Sequence, residues 1–470
     1  MGGFYGVVSH DDCVMDVYFG TDYHSHLGTS RGGLAIWSGK SFNRSIHNIE
    51  NTQFRAKFEA ELPKIKGNMG IGCISDTDPQ PLTVRSHLGQ YAISTVGKIN
   101  NLDEIVEKTF INRHIHFLET SRGTINPTEL VSVIIDQQET FKEGLLKVQE
   151  MIQGSCSVML LTPEGIYASR DRVGRTPMIV GRKKRARCVS FESCMFANLG
   201  YKPEYELGPG EIVFVSPDGI EKISPPRTEM KICAFLWVYY GYPTSYYEGI
   251  NVDECRGRCG AALARRDEVN ADFVCGIPDS GVGHAVGYSN EKMIPYKRAY
   301  SKYTPTWPRS FMPQNQGQRD LVAKMKLIPN RAVIEGKKMI FIDDSIVRGT
   351  QLKDNTIDLR KSGADEVHMR IACPPLLYPC EFLNFSQSRT PMELAGRKAI
   401  YKIEGDIEDI RDYSNPDTEK YKKMVDTIAA TLDLDSLVYQ RLDDLVEAIG
   451  LPKEKLCTHC WDGTGYIERG

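Results

Sequence analysis

Residues Met339 to Gln351 read MIFIDDSIVRGTQ: four apolar residues run into two adjacent aspartates, Asp343 and Asp344, and then into a short loop, Ser345 to Thr350. Two like charges side by side repel, and one has its pKa raised unless something positive lies near. A metal ion or a cationic partner is the expected answer. The surrounding sequence gives the pair its place. Phe273 to Ile277, Lys338 to Ile342 and Glu366 to Ile371 read as strands, and Val282 to Tyr288 and Gln351 to Ser362 read as helices. Strand and helix in alternation predict a parallel sheet with helices on its faces. Ligands bind at the carboxyl ends of such strands, where Asp343 and Asp344 fall.

The loop after the aspartates leads into a helix. Gly349 permits close backbone approach, and N–H groups and hydroxyls at a helix start suit an anion such as phosphate. Carboxylates and a phosphate cradle in one element suit a phosphorylated sugar with hydroxyls, or a phosphate–Mg²⁺ complex. An isolated Asp-Asp reads more simply as a solvated strand–turn–helix; the thirteen-residue pattern does not.

The first half, to about Pro225, is different. Short strand-like runs alternate with turns, at Phe4–Val8, Gly70–Ile74, Gln90–Val96, Ser157–Leu161 and Gly165–Ser169. Helical patterning appears at Pro127–Asp136 and Phe141–Ile152. Ser224-Pro225-Pro226-Arg227 marks a boundary. The 470 residues are 41% hydrophobic and 25% charged, as in an ordinary soluble chain of two or three domains. A net charge of -3 implies no general attraction to nucleic acid or anionic membrane. The basic run Arg182 to Arg187 lies between two strands and reads as a solvated hairpin tip. No apolar run approaches the ~20 residues of a membrane helix, and MGGFYGVVSHDDC lacks the regions of a secretory signal. A cytoplasmic protein is expected, its thirteen cysteines reduced.

Met339–Gln351 resembles the phosphoribosyl pyrophosphate signature of type I phosphoribosyltransferases. The resemblance narrows to the glutamine phosphoribosylpyrophosphate amidotransferase branch through Ile277-Pro278-Asp279-Ser280-Gly281, Arg309-Ser310-Phe311, Gln316, Arg319, Lys324 to Leu327, Glu248 to Val252 and Arg256. It runs from Gly3 to about Gly465. It implies an α/β chain with an α+β N-terminal part: an N-terminal-nucleophile hydrolase-like αββα domain (1–226), then a phosphoribosyltransferase domain with a parallel sheet and a C-terminal cysteine tail (227–470). It implies purine biosynthesis, with 5-phosphoribosylamine formed from phosphoribosyl pyrophosphate. Asp343 and Asp344 then face the ribose hydroxyls and Mg²⁺. Ser345, Ile346, Val347, Arg348, Gly349 and Thr350 wrap the 5′-phosphate. Asp279 and Ser280 lie on the pyrophosphate side, and Arg309, Lys324 and Lys326 serve the pyrophosphate or loop closure.

The sequence departs from this pattern at the glutaminase. The family's nucleophile is a mature N-terminal cysteine whose α-amine acts as base; that position is Gly2. The glutamine-binding arginine falls on Ser75, the oxyanion-hole asparagine on Val96 (its glycine partner survives as Gly97), and the aspartate for the substrate amine on Pro127. Cys13 is the nearest thiol, and the residues after it do not match. The implied nitrogen source is ammonia, free or from a partner glutaminase. The closing loop departs as well: Ser301 to Pro308, with two prolines, replaces the family's lysine-asparagine-arginine-tyrosine.

Cys457-Thr458-His459-Cys460 is a CxxC that fits zinc, iron–sulfur or plain thiols. Cys233 and Cys380 fall where one branch of the family has cluster-ligating cysteines, so the resemblance implies a [4Fe–4S] cluster on Cys233, Cys380, Cys457 and Cys460. Zn²⁺ on the same thiolates, or four buried thiols, are the alternatives. The resemblance also implies purine nucleotides as feedback ligands and a homotetramer. A silent relative that senses phosphoribosyl pyrophosphate or nucleotides, alone or paired with an active paralogue, is the alternative function, and transfer to another amine is the third.

Overall fold

The computed structural model describes residues 2–50, 52–112, 117–118, 120–121, 124–303, 327–383 and 390–464. The chain forms two compact units whose main boundary lies between Ile232 and Cys233. This is a few residues beyond the Pro225-Pro226 turn. Arg227 N–H bonds Pro209 O at 2.7 Å and Lys231 N–H bonds Val173 O at 2.7 Å, which keeps the segment on the first unit.

The first unit begins with strand Gly2–Ser9, buried along its whole length. It lies in the middle of a seven-stranded antiparallel sheet. Its neighbours are Ala186–Ser190, in register Tyr5↔Ser190, and Met69–Ser75, in register Gly2↔Ser75. Alternation sends Tyr5 and Val7 to one face, where Val14 and Val17 of helix Val14–Asp22 cover them. The other face meets the second, six-stranded sheet: a Cβ at Gly6 would stand 2.6 Å from Met159 Sδ. Helices Pro127–Asp136 and Phe141–Met151 cover that second sheet. Their Leu130, Val131, Ile134, Leu145 and Val148 share a core with Tyr91, Ile93, Val158 and Leu160. Helix, sheet, sheet and helix make the expected αββα order.

The second unit is built on four parallel strands, ordered Phe273–Gly276, Lys338–Asp343, Glu366–Ile371 and Ser436–Tyr439. Parallel strands need crossovers, and helices supply them. Val282–Lys292 follows the first strand, Thr350–Lys361 the second, and Ala395–Glu404 and Glu419–Leu432 precede the fourth. Leu263, Val274, Ala285, Tyr288, Ile340 and Ile342 form the core between helices Val252–Arg265 and Val282–Lys292 and the sheet. These two helices pack backbone to backbone. A Cβ at Gly260 would stand 1.8 Å from His284 O, and one at Gly287 2.0 Å from Gly257 O. The wide parallel arrangement puts the ends of Phe273–Gly276 and Lys338–Asp343 side by side, in register Gly276↔Ile342.

Candidate functional site

Asp343 is the last residue of its strand, and Asp344 is the first beyond it. Ser280 Oγ donates to Asp343 Oδ1 at 3.2 Å, so the turn after the neighbouring strand meets the acidic pair. That turn is held by Ile277 N–H on Ile342 O at 2.9 Å and by Gly281, where a Cβ would stand 2.1 Å from Ile342 O. Asp343 Oδ1 also accepts from Asp344 N–H at 2.9 Å, and Ser345 Oγ donates to Asp344 Oδ1 at 2.6 Å. Burial, then the Asp344 carboxylate, push the Asp343 carboxyl well above the usual range. The pair carries two ionised carboxylates comfortably only beside a cation.

The loop after it turns on Gly349, at φ 78° in the left-handed region, and helix Thr350–Lys361 starts there. Ile346 is buried and anchors the loop, Val347 O accepts Ala395 N–H at 2.8 Å, and Arg348 reaches Glu393 at 2.5 Å. Ser345 and Thr350 flank this turn, Thr350 exposed at the helix start. Asp279 is exposed and ion-paired to Lys302 Nζ. Acidic pair, hydroxyls, a helix N-terminus and a lysine thus share one strand-end region, suited to a phosphorylated sugar. Arg309, Lys324 and Lys326, with Gln316, Arg319 and the segment from Thr304 to Pro308, lie outside the described residues.

Three further side chains lie near the acidic pair or its neighbouring turn; the resemblance marks Arg256, and Lys302 falls in the altered Ser301 to Pro308 segment, but Cys373 carries no local signal. Lys302 reaches Asp279 from Tyr300–Lys302, which pairs antiparallel with Leu327–Pro329. Arg256, buried on helix Val252–Arg265, donates to Trp237 O, Tyr239 O and Gly241 O at 3.0, 2.9 and 2.9 Å. Burial lowers its pKa, and the Asp344 carboxylate opposes that. The Cys373 thiol is fully buried near both aspartates; burial first, then Asp344, raise its pKa.

In the first unit, the positions matched to the glutaminase also converge. Gly2 pairs with Ser75, and a Cβ at Gly2 would stand 2.4 Å from Ile74 O. Ser75 Oγ accepts from Thr77 N–H and Asp78 N–H, both at 3.2 Å, and so caps its own turn. That turn continues to Gln80, whose Oε1 accepts Thr95 N–H at 2.7 Å, and Asn126 Nδ2 donates to Pro79 O at 3.1 Å. Val96 is buried, Gly97 has φ 146°, and Pro127 opens its helix behind the Asn126 cap. Cys13 precedes helix Val14–Asp22 with its thiol buried and its pKa raised by that burial.

The four tail cysteines lie together in the second unit. The Cys460 thiol is raised by a hydrogen bond with Cys380, by burial, and by the proximity of Cys233 and Cys457. Backbone bonds fix the approach: Ala234 N–H to Cys457 O at 3.3 Å, and Leu377 and Tyr378 N–H to Cys460 O at 2.9 and 3.1 Å. Among the described residues, no three His, Cys, Asp or Glu side chains close into a ligand set for a metal ion. Nor, among them, is any helix long and apolar enough to cross a membrane.

A family model described as a glutamine amidotransferase domain matches residues 68–197. An amidophosphoribosyltransferase of Methanothermobacter thermautotrophicus is 30% identical, over 98% of this chain and 93% of its own length. One from Methanocaldococcus jannaschii is also 30% identical, over 98% and 97%. A solved Bacillus subtilis glutamine phosphoribosylpyrophosphate amidotransferase, complexed with ADP and GMP, superposes with TM-score 0.84 at 26% identity, covering 98% of this chain and 96% of its own.

Proposed function

The chain belongs to the amidophosphoribosyltransferase family of purine biosynthesis, and from that premise we propose that it forms 5-phosphoribosylamine with ammonia and not with glutamine. Asp343 and Asp344 bind the ribose hydroxyls. The loop from Ser345 to Thr350 holds the 5′-phosphate. The turn at Asp279 and Ser280 lies on the pyrophosphate side, where Lys302 joins it. Leaving of pyrophosphate puts positive charge on the sugar ring and negative charge on the leaving group. The aspartates orient the ring and offset its charge, and Lys302 meets the leaving group. Arg309 and Lys326 are assigned to the same task by resemblance alone. Mg²⁺ fits the two carboxylates, since it takes one or two carboxylates and keeps waters and phosphates; bound there it would neutralise the pyrophosphate.

The observation that carries the ammonia reading is the closure at Gly2. That residue offers no nucleophile, and its backbone leaves 2.4 Å between a Cβ and Ile74 O. Ser75, Val96 and Pro127 remove the anion clamp, the oxyanion donor and the amine clamp together. Ammonia then comes from solution or from a partner glutaminase. The tail cysteines Cys233, Cys380, Cys457 and Cys460 supply the thiolates for a [4Fe–4S] cluster that fastens the C-terminus. A cytosolic homotetramer with purine nucleotides as feedback ligands completes the reading, by resemblance.

The test is pyrophosphate release from phosphoribosyl pyrophosphate and Mg²⁺, with ammonium or glutamine as sole nitrogen source. Release with ammonium alone is expected. Release with glutamine, accompanied by glutamate, overturns the ammonia reading. Release with neither, alongside tight binding of phosphoribosyl pyrophosphate, makes the protein a sensor instead.

A further inference from the structure

The basic run Arg182 to Arg187 is a hairpin, as its sequence implied, but its register adds something the sequence hid. Strands Ile179–Lys183 and Ala186–Ser190 pair with Arg182 opposite Arg187. On the other side, edge strand Lys202–Glu206 puts Lys202 opposite Arg182. Opposed residues share a face of the sheet, and like charges so placed are destabilising. Three cations therefore stand in one row across three strands. Glu204 answers only part of this. It holds buried Arg187 through two bonds of 2.7 and 3.0 Å, while Arg187 also donates to Pro217 O at 2.7 Å. Arg182 stays 3.8 Å from that same carboxylate, outside hydrogen-bond range. Lys184 and Lys202 make no ion pair among the described residues.

The row forms one wall of a cleft of about 480 Å³, completed by Lys183, Lys184 and His10. Lys183 is already tied to Asp16, and Asp218, the one acidic residue on the lining, is taken by His10 at 2.8 Å. Arg182, held only by its 3.8 Å ion pair with Glu204, and Lys184 and Lys202, which make none among the described residues, are the exposed cations of the lining. A concave site of this size, with five Lys and Arg side chains against the single carboxylate of Asp218, focuses potential on a small anion. Arg182 offers a planar fork for phosphate oxygens, and the two lysines offer point charges.

We propose that this cleft in the glutaminase-like unit binds the phosphate groups of a small phosphorylated molecule, a diphosphate matching its three exposed cations. The site lies in the unit that does not carry Asp343 and Asp344, so it is independent of the transferase reading.

The test is calorimetric titration of the full chain with inorganic pyrophosphate and, separately, with ADP, at low salt and without divalent cations. The comparison is with Arg182→Gln/Lys202→Gln, and with Lys184→Gln as a single-charge variant. Both sets of side chains are exposed, so folding should be intact, which circular dichroism checks. The double variant is expected to lose one binding event, its affinity falling by at least about tenfold, with ammonium-dependent turnover unchanged. Tighter binding of ADP than of pyrophosphate assigns the site to nucleotides; equal binding assigns it to inorganic diphosphate. Identical titrations for wild type and double variant overturn the proposal, as does a wild type that binds neither anion beyond the transferase site.

Discussion

Asp343, in the role proposed for it, works against the stability of its fold. Burial and Asp344 raise its pKa, while the Asp344 amide and the Ser280 hydroxyl lower it and lose. An acid whose folded pKa is raised binds its proton more tightly folded than unfolded. Its contribution to stability therefore declines as pH rises from the ordinary carboxylate range through the folded pKa. Asp343→Asn removes that penalty. The variant is expected to lose turnover by on the order of 10²–10³-fold. In magnesium-free buffer at pH 7.5 it should melt higher, by roughly 2–4 °C per kcal/mol recovered in a unit of this size. At pH 4 the gain should shrink, because the folded wild type is then protonated. Calorimetry at the two pH values decides; a lower melting temperature at pH 7.5 would contradict this account of the pair. Gly2 gives the opposite case under the proposed ammonia reading: a nucleophile added there is not expected to restore a glutaminase. Gly2→Cys puts a Cβ 2.4 Å from a strand carbonyl, and under the same reading Ser75, Val96 and Pro127 still lack the groups that hold glutamine. Its expected outcome is no glutamate from glutamine and a loss of about 1–3 kcal/mol in chemical denaturation. Glutaminase activity in the single variant would show that the rest of the site is intact.

Among the elements, the pair of helices Val252–Arg265 and Val282–Lys292 matters most for the site, because the second starts just after the Asp279–Ser280 turn. Their contact depends on missing side chains. Gly260→Ala would drive a Cβ to 1.8 Å from His284 O and 2.9 Å from Tyr288 N, both backbone atoms that cannot rotate aside. The helices must separate, which costs about 3 kcal/mol or somewhat more, and the turn that carries Ser280 to Asp343 shifts with them. Gly257→Ala, on the same helix, meets nothing within 4 Å. It should be neutral, or stabilising by up to about 1 kcal/mol from helix propensity. Comparing the melting and the ammonium-dependent rate of the two variants separates the close approach from the general effect of adding a methyl. This crossing also marks what the sequence could tell. The strands and helices around Asp343, the helix at Pro127–Asp136 and the hairpin at Arg182–Arg187 were legible, because apolar period, cap residues and turn chemistry are local. The start of helix Val252–Arg265 is less legible: the Asn251 side chain caps it by accepting from Glu254 N–H at 3.0 Å, but Asp253 and Glu254 interrupt the apolar period of its first turn. The Lys302–Asp279 pair, Cys373 beside the aspartates, and Lys202 opposite Arg182 were not legible. Each joins residues far apart in the chain, and no single-sequence pattern reports such distances.

For the whole molecule, the tail cysteines make the widest claim. Cys233 opens the second unit and Cys460 nearly closes the described chain, with Cys380 between them. A group bound by all of them would close loops spanning most of that unit, and closing a long loop restricts the unfolded chain far more than the folded one. The first unit contributes none of these thiols, so its stability should be indifferent to the group. Cys460 is the informative position: its main chain already accepts from Leu377 and Tyr378 N–H, and Trp461 beside it packs at a tilt against Phe235 with ring centroids 4.9 Å apart. Cys460→Ser keeps those contacts and removes only the thiolate. For anaerobically purified protein, the wild type is expected to carry iron, inorganic sulfide and broad visible absorbance, and the variant to lose all three. The variant's calorimetric trace should show the second unit melting earlier by an amount worth about 2–4 kcal/mol, the scale of a cross-link closing a loop of this kind, with the first unit's transition unmoved. Zinc in place of iron would keep the cross-link and change its chemistry. Metal-free wild-type protein with a trace like that of Cys460→Ser would mean that packing alone holds the tail, through Trp461, Phe235 and the backbone bonds at Cys460.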